Sequence, residues 1–389
     1  MKILKKISLK DILGIFIFAI LVIPAFIRKH ILKKEIWLIS EHLTARDNGY
    51  FFFKYMRENH PEIGCYYAVD YNHNDYDKVK ELGNTVKWGS IKHYYYYMSS
   101  KWNISSHKNG SPNHILFTGL RLYLNLYNNF VFLQHGVLYQ NFEMFHAKNS
   151  HFSIFICGAK PEYEFVKKKF GYKCGEVRYT GLARFDTLHK YITKKRIVLY
   201  VPTWRKYLVE NDILQESDYF KKIESFINSK ELDMVLDKYN FELHFCPHNG
   251  LKNGMKLFKT KNKNVKIIDI TKADVQKMLI ESEVLITDFS SIHTDFAYMK
   301  KPILYYQYDE EDYFKKHVGQ GYKDTYYDFN NDGFGPVIRD EKQLIKEIQY
   351  IISKNEIEIK KEYEIRINNF FELNDSNNCE RIYEEIMRG

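Results

Sequence analysis

The sequence predicts an α/β protein: two doubly wound, Rossmann-like domains facing each other across a cleft, preceded by a membrane-associated segment. Three observations predict it. From residue 36 onwards, short apolar runs alternate with amphipathic ones, the pattern of strands and helices in parallel layers. The alternation comes in two series, with a charged stretch at 191–196 between them. Ahead of both stands an apolar run flanked by lysines and arginines. The expected segments are a basic, hydrophobic anchor over 1–34, Rossmann-like domains over 35–190 and 191–340, and charged amphipathic helices over 341–389.

The anchor comes first in the chain. "ILGIFIFAILVIPAFI" (12–27) is apolar throughout, slightly short for a span that needs about 17–20 residues, and contains Pro24. Its basic downstream flank does not suit a cleaved signal peptide. A monotopic or re-entrant anchor with a cytoplasmic body is preferred over a single signal-anchor helix. Residues 1–34 carry a net +7 of the chain's +9. Basicity concentrated there suits anionic lipid and argues against a nucleic-acid-binding face.

The first series offers "IWLIS", "IGCYYAVD", "TVKWG", "KWNISSH", "FVFLQHG" and "SIFICGA" as strands, with helices at "NGYFFFKYMRENH" and over 162–170. It closes on "VRYTGLARFD". The second offers "IVLYVPTW", "FELHFCPH", "VKIID", "EVLITD" and "PILYY" as strands, with helices over 218–239 and 273–282. The aromatic run "HYYYY" (93–97) reads as packing. Five scattered cysteines without a CxxC pair suggest reduced thiols, neither a disulfide framework nor a zinc site.

In doubly wound sheets, ligands sit beyond the carboxyl ends of the strands. His135, then Thr203 and Arg205, then His248, then Asp288, Ser290 and Ser291 all follow strand candidates directly. In "LITDFSSIHTDFAYMKKPILYY" (285–306), the spacing of Ile292, Phe296 and Met299 starts a helix near Ser290 or Ser291 with one face on the sheet. Its first amides and dipole favour an anion such as phosphate. Asp288 or Ser290 merely capping the helix is the plain alternative. A histidine can take a proton from an attacking hydroxyl. Nucleotide-binding glycine loops, HExxH and GxSxG are absent. "DYD" (75–77) and "DEED" (309–312) read as solvated surface; neither a metal nor a cofactor is expected.

These motifs, with "SEHLTARDNGYFFFKYM", "LQHGV", "TGLARFD", "YVPTWR" and "CPH" in this order, resemble the CDP-glycerol:poly(glycerophosphate) glycerophosphotransferases, the teichoic acid primases and polymerases. The resemblance covers roughly residues 36–338. It implies a GT-B fold, a peripheral membrane enzyme and a CDP-glycerol or CDP-ribitol donor. By motif, His135 and His248 match the family's two essential histidines, and Ser290 and Ser291 its donor-phosphate residues. Thr203, Arg205 and Asp288 join the donor side. Glu41, Asp47, Asn48 and Arg184 match motifs read as acceptor-binding or structural. The chain departs from the family at Val137, where a threonine is usual, and at Cys246 and Asn249, where lysine and proline flank the second histidine.

The implied reaction is attack of an acceptor hydroxyl on the phosphorus bearing the polyol, with CMP leaving. His135 is the expected base, and His248, Arg205 and the amides near Ser290 and Ser291 stabilise the diphosphate. Asp288 is expected to accept backbone or hydroxyl hydrogen bonds. The acceptor is expected to be a lipid-linked saccharide or polymer at the cytoplasmic face, in teichoic-acid-like or capsule synthesis. A chain with little beyond anchor and body resembles the primases more than the longer polymerases. The competing readings are a GT-B glycosyltransferase using a nucleotide sugar, and a degenerate membrane scaffold without activity.

Overall fold

The computed structural model describes residues 8–108, 110–124, 126, 128–189, 194–210, 213–318 and 324–389. Lys2, Lys5 and Lys6 of the basic segment, and residues 191–193 of the charged stretch, lie outside them. Among the described residues the chain divides into two compact units. The first comprises those of Met1–Val137, Phe142–Asp186 and Asp375–Gly389; the second comprises those of Leu138–Asn141 and Thr187–Asn374.

The first unit holds seven strands: β1 (Trp37–Ser40), β2 (Cys65–Val69), β3 (Thr85–Lys87), β4 (Trp102–Ser105), β5 (Phe130–Phe132), β6 (Ile154–Cys157) and β7 (Val177–Tyr179). All pair in parallel, in the order β3-β2-β1-β4-β5-β6-β7. Strands β1, β4 and β6 are buried at every position, as a parallel sheet covered on both faces requires. Trp37, Ile39 and Ile104 pack with Phe52, Phe53 and Met56 of the helix Asn48–Asn59.

The second unit holds β8 (Ile197–Val201), β9 (Glu242–Phe245), β10 (Val265–Ile267), β11 (Val284–Thr287), β12 (Ile303–Tyr306) and β13 (Val337–Ile338). They too run parallel, in the order β10-β9-β8-β11-β12-β13. Each sheet therefore reverses its winding once, beside β1 and beside β8, and ligands of this architecture gather outside the carboxyl ends there. The two-residue β13 has no run long enough to read from sequence.

Three expectations are corrected. The stretch 218–239 forms two helices, Asp218–Ile227 and Lys230–Tyr239, because Ser229 caps the second by accepting from Leu232 N. The carboxyl-terminal helices are not one block. Glu341–Ile352 and Lys361–Phe370 stay with the second unit, whereas Asn378–Arg388 returns to the first. Asp186 draws it back: its carboxylate accepts from Asn378 N, Asn378 Nδ2 and Cys379 N at 2.7–2.8 Å. The apolar segment also forms a longer helix than its 16-residue run suggests. Leu9–Phe26 starts on a Ser8–Asp11 capping box and passes through Pro24. A π turn, Ile27–Ile31, follows the proline and restores backbone pairing with wider bonds. Leu9–Ile31 spans 23 residues with a mean hydropathy of 2.3 and is long and apolar enough to cross a membrane.

"HYYYY" is packing, as expected: His93 and Tyr94 are buried in the helix Ile91–Ser99. All five cysteines are free.

Candidate active site

In the first unit the chain leaves β1 and folds around Glu41. This buried carboxylate accepts three backbone N–H groups, from Arg46 (2.7 Å), Asp47 (3.0 Å) and Tyr50. Burial and the neighbouring Asp47 charge push the Glu41 carboxyl up, to about 8, against the pull of those donors. The turn delivers Asp47 to the N-cap of the helix Asn48–Asn59.

Asp47 divides its oxygens. Oδ1 accepts from Asn48 N at 2.8 Å and from Arg184 Nη1 at 2.7 Å. Oδ2 pairs with Nδ1 of His135. Burial by itself would raise the Asp47 carboxyl, but the charges of His135 and Arg184 outweigh it and hold the group at about 2.

His135 follows β5 through Gln134, whose φ of 62° is left-handed. Gln134 is locked there by its amide, which donates to Ile156 O (2.6 Å) and Glu162 Oε1 (2.9 Å). The bend turns His135 outwards, so that its side chain is 73% exposed while that of Asp47 is 8%. With Nδ1–H donating to the carboxylate, the lone pair of the neutral ring lies on the other nitrogen, Nε2. The charge of Asp47 and its hydrogen bond raise the imidazole above its ordinary pKa. This is the arrangement of an oriented general base.

Asn48 fixes the frame by donating to Gln134 O at 2.8 Å and accepting from Arg184 N at 3.0 Å. Arg184 also donates to the carbonyl of His135. The structure thus brings four residues from three separate motifs, Asp47 and Asn48, His135, and Arg184, into one network, with Glu41 shaping its entry loop.

Sequence reasoning missed His107, whose ring lies 5.3 Å from that of His135. Burial lowers its pKa, Asp47 opposes that, and His135 adds to it. Its place after β4 was the only available signal. Ligand atoms of Asp47, His107 and His135 lie within 4.8 Å of one another, a spacing that could hold a metal ion. Arg184 already neutralises Asp47, which weakens the cluster's pull on a cation.

In the second unit His248 follows β9. Its Nδ1 accepts from Gly250 N at 2.9 Å, so the neutral ring carries its proton on Nε2. Trp204 stacks beside it, with centroids 6.1 Å apart and planes 8° from parallel. His135 thus presents a lone pair on Nε2 where His248 presents an N–H.

Arg205 is corrected. It was expected at the donor, yet it is 0% exposed. Its guanidinium forks onto Asp309 with two 2.7 Å bonds and also donates to Asp288 (2.9 Å) and Thr203 O (2.7 Å). The rings of Tyr219 and Tyr313 lie 4.9 and 4.8 Å from it. Fully buried and with four of its five N–H groups paired, Arg205 holds loops together.

Asp288 accepts from Thr203 N (2.8 Å) and Phe289 N (2.6 Å), the backbone role expected of it. It does not cap the following helix. "DEED" and "DYD" are corrected in part, because Asp309 and Asp75 are not solvated: Asp309 pairs with Arg205, and Asp75 is buried and pairs with Arg46 at 2.8 Å.

Ser290 and Ser291 are half-buried at the start of Ile292–Tyr298. Ser291 makes no side-chain cap bond, and Ser290 Oγ is 3.5 Å from Ile292 N, the limit of a hydrogen bond. Thr203 Oγ1 is buried without a partner. The helix is buried from His293 to Tyr298 and does not present the single face its spacing implied. Aromatic rings cover its far side, Tyr327, Phe329 and Phe334 lying within 5.6 Å of His293.

A family model described as CDP-Glycerol:Poly(glycerophosphate) glycerophosphotransferase matches residues 21–388. The chain belongs to this family. The minor teichoic acid biosynthesis protein GgaB of Bacillus subtilis is 31% identical over 370 residues, covering 91% of this chain and 40% of that protein. The teichoic acid glycerol-phosphate primase of the same organism is 25% identical, covering 61% of this chain and 59% of its own length. The chain thus spans only part of these curated relatives.

Among solved structures, a variant of the wall teichoic acid polymerase TagF soaked with CDPG superposes with a TM-score of 0.68 at 19% identity, covering 91% of this chain and 88% of that one. UDP-GlcNAc 2-epimerase of Methanocaldococcus jannaschii follows at 0.54 and 12%, covering 91% and 100%. At these identities the likeness concerns the fold, which is GT-B-like with two parallel sheets.

Of the three departures from the family pattern, Val137 and Cys246 are buried and Asn249 is exposed. Val137 is 2% exposed, and a Cβ added to Gly158 would sit 2.9 Å from its Cγ2. Cys246 is fully buried, and burial pushes its thiol up to about 12.

Proposed function

We propose that this glycerophosphotransferase family member transfers glycerol phosphate, or ribitol phosphate, from a CDP-polyol to a hydroxyl of a lipid-linked saccharide or polymer. The reaction belongs to teichoic-acid-like or capsule polymer synthesis at the cytoplasmic face of the cell membrane. The observation that carries this reading is the Asp47–His135 pair, which leaves Nε2 of His135 as a base at the carboxyl end of a parallel sheet. The acceptor hydroxyl gives its proton to that nitrogen while its oxygen bonds to the polyol-bearing phosphorus. The bond from that phosphorus to the bridging oxygen breaks, and CMP leaves with the electron pair.

On the donor side, Nε2–H of His248 and the hydroxyls of Ser290 and Ser291 offer hydrogen bonds to phosphate oxygens. Arg205 and Asp288 act beneath them by holding the Thr203 and Phe289 backbone. The contribution of such fixed donors is electrostatic and positional. The apolar helix Leu9–Ile31 supports the membrane setting.

The test is purified protein with a lipid acceptor and, in turn, CDP-glycerol, CDP-ribitol, and UDP- and GDP-sugars, read by CMP release and product mass. Turnover of a CDP-polyol that disappears in His135→Ala and His248→Ala is expected. Turnover of nucleotide sugars alone would make the protein a glycosyltransferase. Cellular function intact in both variants would make it a scaffold.

A further inference from the structure

A cavity of about 290 Å³ opens inside the first unit, between the amino-terminal helix and the helix His114–Leu124. Its lining is of two kinds. Lys29, Lys108 and Arg121 bring three cations, joined by the imidazoles of His30, His114 and His151, and the lining contains no aspartate or glutamate. Phe18, Val22 and Phe117 supply an apolar wall, with Phe18 set edge-on to Phe117 at 6.0 Å.

Among the described residues the cations bind only neutral oxygens. Lys29 Nζ donates to Asn128 Oδ1 (3.0 Å), Lys108 Nζ to Met144 O (2.7 Å) and Arg121 Nη1 to Ser150 O (3.1 Å). Arg121 Nε is buried with no hydrogen-bond partner. Burial lowers the pKa of both Lys108 and Arg121, and Arg121 lowers Lys108 further. Half-buried like charges without a counter-ion are costly, and an anion placed among them removes that cost. Phosphate oxygens suit such a set, since guanidinium and ammonium groups form charge-assisted bonds to them.

A soluble anion would have no use for the apolar wall. Phe18 and Val22 belong to a helix that also exposes Phe16, Ile20 and Ile23, each by more than 60%, and Phe117 comes from the helix His114–Leu124. We propose that the cavity seats the phosphate end of a membrane lipid, with Lys29, Lys108 and Arg121 on the phosphate and the first lipid carbons against Phe18, Val22 and Phe117. The proposal shares the membrane setting of the transferase reading and is independent of its chemistry.

Flotation of the full chain with phosphatidylcholine vesicles tests it, the vesicles being plain, doped with phosphatidylglycerol, or doped with a polyprenyl diphosphate. Lys29→Gln/Arg121→Gln is expected to weaken binding about thirtyfold to one doped type, at roughly one kcal/mol per basic residue. The type affected names the source, a phosphodiester headgroup or a diphosphate lipid. The loss should persist at about 1 M salt, where screening acts within ~3 Å. Lys33→Gln/Lys34→Gln, outside the cavity, should lose binding only at low salt. Val22→Trp fills the space without removing charge and should reproduce the loss in a protein with an unchanged melting profile. The proposal is overturned if Lys29→Gln/Arg121→Gln behaves as Lys33→Gln/Lys34→Gln does, or if Val22→Trp binds normally. It is overturned equally if inorganic pyrophosphate competes as well as the lipid. Because binding is read rather than CMP release, this failure and failure of the transferase reading are distinguishable.

Discussion

Replacing Asp47 by asparagine isolates the element on which the proposed chemistry turns. Oδ1 of Asp47 accepts two donors, Arg184 Nη1 at 2.7 Å and Asn48 N at 2.8 Å. In Asp47→Asn the amide oxygen must stay with those donors, and the NH₂ is left facing Nδ1 of His135. An N–H there requires a lone pair on Nδ1, so the ring's proton moves to Nε2, and the base becomes a donor. A carboxylate-to-amide change of this kind in the Ser-His-Asp triad lowers kcat about 10⁴-fold, and general base catalysis is worth about 10²–10⁴. The expected fall in kcat here is therefore ~10²–10⁴-fold, with the KM for CDP-glycerol within about twofold because the proposed reaction does not place Asp47 on the donor.

The pH profile adds a second readout. In the proposed reaction the base works when neutral, so kcat is expected to rise with pH through the pKa of His135, which Asp47 raises. Removing that charge moves the acid limb of any residual activity to lower pH. The assay is CMP release across pH for wild type, Asp47→Asn, His135→Ala and the double variant. The double variant should be no slower than His135→Ala, since the two residues act as one unit. An Asp47→Asn enzyme within about threefold of wild type, with its acid limb unmoved, would refute the assignment of Asp47 as the orienting carboxylate.

Other expectations concern stability and the donor side. Arg205→Lys loses the two-bond fork to Asp309 and strands buried carboxylates, with an expected loss of about 3–5 kcal/mol in urea unfolding; an unchanged midpoint with a raised donor KM would return Arg205 to the ligand. His248→Ala should lower kcat about 10²–10³-fold, the usual cost of removing one preorganised donor, and a change in KM alone would count against that role. Glu41→Gln turns one acceptor oxygen towards backbone N–H groups as a donor, so an unfolding loss of roughly 1–3 kcal/mol is expected. Gly181→Ala forces a side chain onto a φ of +80°, with its Cβ 1.7 Å from Asn378 Oδ1. It should free the last helix, seen as faster proteolysis of Asn378–Arg388; unchanged protection would contradict that close approach.

Much of the fold was legible because its signals are local. A strand buried on both faces is a short apolar run, as β1, β8, β11 and β12 show, whereas the partly exposed β7 lies in "VRYTGLARFD", which does not read as a strand. The apolar stretch at 12–27 likewise declared its helix, although its length depended on a π turn after Pro24 that hydropathy does not encode. The histidines were legible as residues following strands, since strand ends carry ligands in this architecture. Asp186 stood in a recognisable motif, yet its task of recapturing the last helix depends on a partner 192 positions away.

Two doubly wound sheets, the family and the two strand-end histidines could be read from contiguous residues, where periodicity, strand-end position and motif order all reside. Which partners those residues meet depends on how the chain folds back on itself. Asp47 and His135 are separated by 88 positions and meet because β1, β4 and β5 lie side by side, which aligns the loops that follow them. Arg205, by the same logic, was drawn inwards by Asp288 and Asp309 and not outwards to a ligand. A charged side chain reads the same in a sequence whether it faces a phosphate or a buried carboxylate; the strand order determines which of them it meets.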